Sequence, residues 1–183
     1  ENSCQVCHND DADFRGSIKV NFESTSNWSQ SLLEVVNSAF QAIMLSGKGE
    51  YADTLLFEIN NLLGVDLIQV YNEDASYVSF GHDVNEIDET ILENMLENIY
   101  DDNDFESSHI IDKHHFSPLP NLAACQVCHG TDSQLNGILA IDIKTSIINK
   151  DDVKNAIIIG FNNLMRLQKA SYAGAYIEEI RKL

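Results

Sequence analysis

Cys125-Gln126-Val127-Cys128-His129-Gly130-Thr131-Asp132-Ser133-Gln134-Leu135-Asn136-Gly137-Ile138-Leu139-Ala140-Ile141-Asp142-Ile143 couples a chemical motif directly to the plainest strand of the chain. The last nine of these residues are rich in β-branched and aliphatic side chains, too short a run for a stable isolated helix, and follow turn-forming residues. Upstream, His109 to Phe116 reads as another strand. Downstream, Asn149 is a good N-cap, and Asp151 and Asp152 complement the positive end of a helix dipole. Val153, Ile157, Phe161, Leu164, Ile177 and Ile180 then follow a helical stripe, so one long helix of about 50 Å is expected from Asn149 to the end.

The pentapeptide at Cys125 occurs a second time, as Cys4-Gln5-Val6-Cys7-His8, and the two copies use all four cysteines of the chain. C-x-x-C-H is the attachment signature for c-type haem. Its spacing has a chemical reason: two thiols three positions apart reach two vinyl groups on one porphyrin edge, and the adjacent histidine supplies an axial imidazole. Cys4 and Cys7 are therefore expected to hold one haem c with His8 as proximal ligand, and Cys125 and Cys128 a second with His129. A thioredoxin-like pair or half a zinc site needs no histidine after the second cysteine. A single zinc site using both pairs is possible in principle, but about 120 residues separate them, against the much shorter spacing of a zinc ribbon. Disulfides across C-x-x-C would be strained and would close only tiny loops.

The remaining chain alternates in period. Trp28, Leu32, Val35, Val36, Ala39, Phe40 and Ile43 predict a helix over 26–46, capped by Ser26 or Asn27 and broken by Ser46-Gly47-Lys48-Gly49. A second helix is expected from Glu50 to Leu63, ended by Gly64. Asp66 to Tyr71 and Ser76 to Phe80 read as a hairpin about Asn72-Glu73-Asp74. Helical spacing returns over 86–101. The order of elements is that of an α+β fold, a small antiparallel sheet flanked by helices. Residues 1–25 form a haem-bearing N-terminal arm, 26–148 the main domain, and 149–183 the long C-terminal helix packed on that domain. Ala170, Ser171, Ala173, Gly174 and Ala175 would let a flat or large group approach that helix.

The 183 residues carry a net charge of −18 and are 44% hydrophobic, enough for one domain with a core. So acidic a surface excludes nucleic acid, which is bound through Lys and Arg, and suits a basic redox partner through electrostatic steering. No stretch approaches the roughly 20 apolar residues of a membrane span. The chain starts at Glu1 without a basic, apolar leader, as expected of a mature or trimmed form. Covalent haem attachment places the expected location outside the cytoplasm, whether periplasmic, extracellular or at the cell surface.

Pro118-Leu119-Pro120-Asn121, the motif Cys125 to Gly130, and Gly137 to Ile143 together resemble the haem-c sensor domains of bacterial chemoreceptors and histidine kinases. Gly64 to Glu73 is similar to their first strand and turn. The resemblance covers roughly residues 28–148. It implies a PAS-like periplasmic domain with the haem motif in a loop just before the last strand, attached at Cys125 and Cys128 and ligated by His129. The chain departs from that family by its extra N-terminal motif, by lacking membrane helices and a transmitter domain, and by its long last helix.

The sixth ligand of each iron separates electron transfer from ligand binding. Four histidines lie outside the motifs. His114 and His115 are first choices, pointing to opposite faces of a strand. His82 is second, and His109 reads as a surface or strand residue. Met44, Met95 and Met165 are possible thioether ligands, but all three sit on helical stripes and core packing is the preferred reading for each. No nucleophile–base pair or phosphate loop stands out. The leading expectation is an electron carrier with two low-potential haems, the arm bridging to a redox partner or to the next copy in an oligomer or filament. The alternative is a redox or gas sensor with an open or exchangeable iron. A redox enzyme is least supported.

Overall fold

The computed structural model describes residues 22, 27–62, 64–78, 87–144 and 147–182, with the side chains of Val127 and Cys128 left aside. Cys4, Cys7, His8 and His82 lie outside the described residues, and with them the N-terminal arm before Phe22.

Helix α1 (Trp28–Leu45) begins where Asn27 accepts a hydrogen bond from the Gln30 amide at 3.1 Å, and buries Leu32, Leu33, Val35, Val36, Ala39, Phe40 and Ile43. A 3-10 turn (Gly49–Tyr51) leads into α2 (Ala52–Asn60), which buries Leu55, Leu56 and Ile59. Strand β1 (Val65–Tyr71) and the short β2 (Tyr77–Val78) form the expected hairpin. Helix α3 (Glu89–Asp102) is capped by Asp88 and closed by Asn103 in the left-handed region, φ 51°. Strands β3 (His109–Ile111) and β4 (His114–Pro120) precede the single helical turn α4 (Gln126–His129) and the strand β5 (Leu135–Ile143).

The sheet is antiparallel, in the order β2-β1-β5-β4-β3. β5 lies at its centre, which is why it reads as a nearly unbroken apolar run. One sheet face packs Val65, Ile68, Val70, Leu119, Leu139, Ile141 and Ile143 against α1, α2 and the C-terminal helices. The other packs Leu67, Tyr71, Phe116, Ile138 and Ala140 against Leu92, Met95, Leu96 and Ile99 of α3. The α+β class expected from the order of elements is the class observed.

Two sequence expectations are corrected. His109 to Phe116 is not one strand but a tight hairpin, turned at Asp112 (φ 55°) and Lys113. An Ile-Ile-Asp-Lys run carries no glycine or proline to announce that turn; Asp supplies the left-handed residue instead. The long C-terminal helix is two helices, α5 (Lys150–Arg166) and α6 (Ala170–Ile180), separated by Gln168 at φ 57°. The break folds α6 back so that Ala173 and Tyr176 join the core beside α1. Burying a tyrosine ring outweighs the few helical hydrogen bonds lost at the break. Gly160 makes the junction fit: a Cβ there would lie 2.7 Å from the Tyr176 hydroxyl and 2.8 Å from Ala39 Cβ. Of the small-residue cluster, Ala173 is core, while Gly174 has open space where its side chain would be. No described helix is long and apolar enough to cross a membrane.

Candidate functional site

The motif at Cys125 sits in the connection between β4 and β5, immediately before the last strand. Asn121 ties that connection together. Its backbone N–H donates to Gln134 O at 2.9 Å, and its side-chain amide donates to Gly130 O at 3.0 Å and Ser133 O at 2.9 Å. Gln126 returns a bond to Asn121 O at 3.3 Å, and Asn136 donates to Pro120 O at 3.3 Å. Within the helical turn, His129 N–H donates to Cys125 O at 3.0 Å, which puts the first cysteine and the histidine on one side. Gly130 then leaves the turn at φ 78°, a conformation glycine adopts without cost.

Cys125 and His129 line one cleft of about 110 Å³. Its walls come from α1 (Phe40, Met44, Leu45), the β1–β2 hairpin (Val70, Val78) and the end of β4 (Leu119, Pro120). The lining is almost wholly aliphatic or aromatic, a surface suited to the edge of a flat apolar ring. Cys125 is half-buried and His129 exposed, so thiol and imidazole are both within reach of a group laid across the cleft. A thiol, an imidazole and an apolar wall are part of the donor set and surroundings that a covalently held haem needs, and Cys125, His129 and this lining fit that part.

On its other side His129 borders a polar cleft of about 330 Å³, with Glu73, Asp74, Asp132, Asn72 and Asn136. Asp74 is held below the usual carboxylate range by hydrogen bonds from Ser76. The imidazole therefore stands between an apolar surface and an acidic one.

The first-choice sixth ligands do not line the cleft with His129. His114 pairs across the sheet with Asp142 and His115 with Ile141, several residues along β4 from Leu119 and Pro120. At about 3.3 Å per residue, four residues put His115 some 13 Å from that end. Both are buried, on opposite faces as expected of neighbours on a strand. His114 Nδ1 lies 2.5 Å from Asp142 Oδ1, and Lys113 Nζ 3.2 Å from Asp142 Oδ2. His115 Nδ1 is buried without a hydrogen-bond partner among the described residues, and burial pushes that imidazole down from its ordinary value. His109 opens β3 as a half-buried strand residue, one of the two placements expected of it, and its Nε2 is likewise unpartnered among the described residues.

Met44 is half-buried, packs against the core as its helical stripe predicts, and also lines the cleft with Cys125 and His129, where its thioether is available as the alternative ligand role expected of it. Asn121, the organiser of the motif connection, carried no role in the sequence reading. Its position after Pro120 and before a motif was the available signal, since Asn side chains commonly bond nearby backbone groups.

No family model matches the chain, and searches of curated proteins and of solved structures likewise found no match.

Proposed function

We propose that this chain is a dihaem c-type cytochrome that transfers electrons outside the cytoplasm. One haem c is held at Cys125, Cys128 and His129, and the other at Cys4, Cys7 and His8. The observation that carries this reading is the joint exposure of Cys125 and His129 on one apolar cleft, at a motif whose spacing is that of haem attachment. When bound, the haem supplies a one-electron couple.

The chain's own residues have distinct parts in this reading. Asn121 and Asn136 hold the motif connection in place. Phe40, Leu45, Val70 and Leu119 exclude water from the ring's face. His129 supplies the proximal imidazole, and Glu73, Asp74 and Asp132 beside it favour the more positive, oxidised charge state. Met44, whose thioether lines the same cleft, would be able to offer its sulfur to the iron when a haem is bound, whereas His114 and His115 do not line that cleft. The acidic surface suits a basic redox partner, and the arm suits contact with a partner or another copy.

The test is maturation of the chain in a host with haem-attachment machinery, followed by mass measurement and an optical spectrum with and without carbon monoxide. Two covalent haems with unmoved reduced bands support the electron carrier. Mass without haem sinks the proposal. A second reading, a haem-based sensor of the resembled kind, is favoured by one observation: the cleft shares Gln41, Leu45 and Leu122 with a large neighbouring groove. Bands that move with carbon monoxide would favour it.

A further inference from the structure

The sheet has an open edge at β3. Among the described residues β3 is outermost in the strand order, and it pairs only with His114, His115 and Phe116 of β4. Beyond that contact β4 carries Pro118 and Pro120, which have no N–H to offer a further strand. β3 holds no proline, lysine or carboxylate, so brevity alone guards its edge. Its middle residue, Ile110, is 52% exposed, more than any other large hydrophobic side chain described. Ile110 pairs with His115, which shares a side of β4 with Leu119 and so faces α1.

The chain enters the fold beside this edge. Phe22 packs edge-on to Trp28, ring centroids 5.3 Å apart, and both rest on the core at the start of α1. Two residues on, Gln30 Nε2 donates to Ser108 Oγ at 2.7 Å, and Ser108 immediately precedes β3. The stretch that ends at Phe22 reads Phe14-Arg15-Gly16-Ser17-Ile18-Lys19-Val20-Asn21-Phe22. Polar residues take every second position from Arg15 to Asn21, with apolar residues or glycine between, the period of a half-buried strand. Phe22 belongs to the apolar set and packs on the α1 side of the sheet, the side to which Ile110 points. Charge agrees with the pattern. Residues 14–22 carry Arg15 and Lys19 and no carboxylate, in a chain of net charge −18. Across the sheet, α3 ends in Asp101 and Asp102, followed by Asp104, with no Lys or Arg between Asp101 and Asp112. The next cation, Lys113, is taken up by Asp142 at 3.2 Å. Cations are favoured at a helix C-terminus, so that end of α3 asks for positive charge twice over.

We propose that residues 14–21, which lie outside the described residues, add to β3 of their own chain as a further antiparallel strand. Ile18 and Val20 cover Ile110 on the α1 side, and Arg15 and Lys19 meet the carboxylates at the end of α3 on the other. The direction follows from Phe22, since the chain traced back from it runs along β3 from its Ser108 end. Main-chain bonds to the open edge hold the segment, and the alternate side chains set its register. This strand stands independently of the haem reading. If both hold, only residues 9–13 separate it from the Cys4–His8 motif, which is thereby tied to the sheet edge.

The test is hydrogen–deuterium exchange of the full, matured chain, read by mass spectrometry over residues 14–21 and 107–113. Wild type is compared with Ile18→Pro, with Lys19→Pro, and with the charge-reversed pair Arg15→Glu and Lys19→Glu. Neighbouring N–H groups of a strand point to opposite sides, so one of the two prolines must remove a bond to β3. The charge-reversed pair keeps the alternation, and unchanged exchange in β1 and β5 verifies that the domain is folded. Wild type should protect both segments. One proline should speed exchange in both by about tenfold or more, and charge reversal should loosen both, more at low salt than at high. Unprotected residues 14–21 in wild type, or protection over 107–113 that none of the variants alters, would overturn the proposal. Protection that falls on dilution would overturn it too, because the strand would then come from a second copy.

Discussion

His114 Nδ1 stands 2.5 Å from Asp142 Oδ1 across the β4–β5 pair, with both side chains nearly out of solvent. The register places these two residues directly opposite each other, and Lys113 approaches the second carboxylate oxygen from the exposed turn. Asp142 is the only acidic residue in β5, and the imidazole and ammonium together satisfy it.

Removing one member of such a group leaves a buried partner uncompensated. Asp142→Ala should lower unfolding stability by about 3 kcal/mol, the usual cost of breaking a buried pair. Urea denaturation followed by far-UV circular dichroism measures it. A loss below about 0.5 kcal/mol, the scale of ordinary surface changes, would show that the pair is not structural.

His115 makes stability depend on pH. Burial holds its imidazole below the ordinary 6.5; the nearby Asp142 opposes that shift and His114 adds to it. As pH falls through 6.5 the unfolded chain takes up a proton that the folded chain refuses. The contribution of His115 is therefore complete above that value and is lost progressively as pH drops toward the lower folded value. His115→Leu should flatten the melting temperature between about pH 7 and about pH 5 relative to wild type. Parallel slopes in the two proteins would remove His115 from the account.

Met44 and His129 belong to one cleft, so under the proposed function a haem attached at Cys125 should change when the thioether is removed. In the matured protein, Met44→Ala is expected to open one of the two haems to carbon monoxide, and His114→Ala to leave that haem's spectrum unmoved. The opposite pattern would return the sixth position to the β4 histidine.

Asn121 holds three carbonyl oxygens of the motif connection, those of Gly130, Ser133 and Gln134, by backbone and side-chain donors. Asn121→Ala should cost about 1–2 kcal/mol for the two lost side-chain bonds and reduce the yield of doubly haem-loaded protein. Mass spectrometry of the matured chain reads the loading; unchanged loading would confine Asn121 to stability.

Gly137 marks a close approach of β5 to the end of β1. Its φ is 156°, and a Cβ there would fall 2.2 Å from Tyr71 O. Gly137→Ala should therefore destabilise by about 2 kcal/mol or more, since the obstacle is backbone. The same approach sets Asn72 and Val70 beside the cleft, so the variant should also load less haem at Cys125.

What the sequence by itself determined is local. The helices, the β1–β2 hairpin and the central β5 were legible because burial on one face imposes a period of 3.6 or 2 on apolar residues, and those periods survive without the fold. The two motifs were legible because C-x-x-C-H is a fixed five-residue pattern that reads the same whatever the fold around it. The tertiary structure alone decided the rest. It turned the His109–Phe116 run at Asp112 and the last helix at Gln168, two breaks made by residues that only occasionally accept positive φ and only where packing rewards the turn. It sent His114 and His115 into the sheet rather than to the cleft, because strand register fixes which neighbours a side chain meets. It brought Met44 beside a motif far along the chain, which no periodicity encodes: a helical stripe tells which face turns inward, not what waits there.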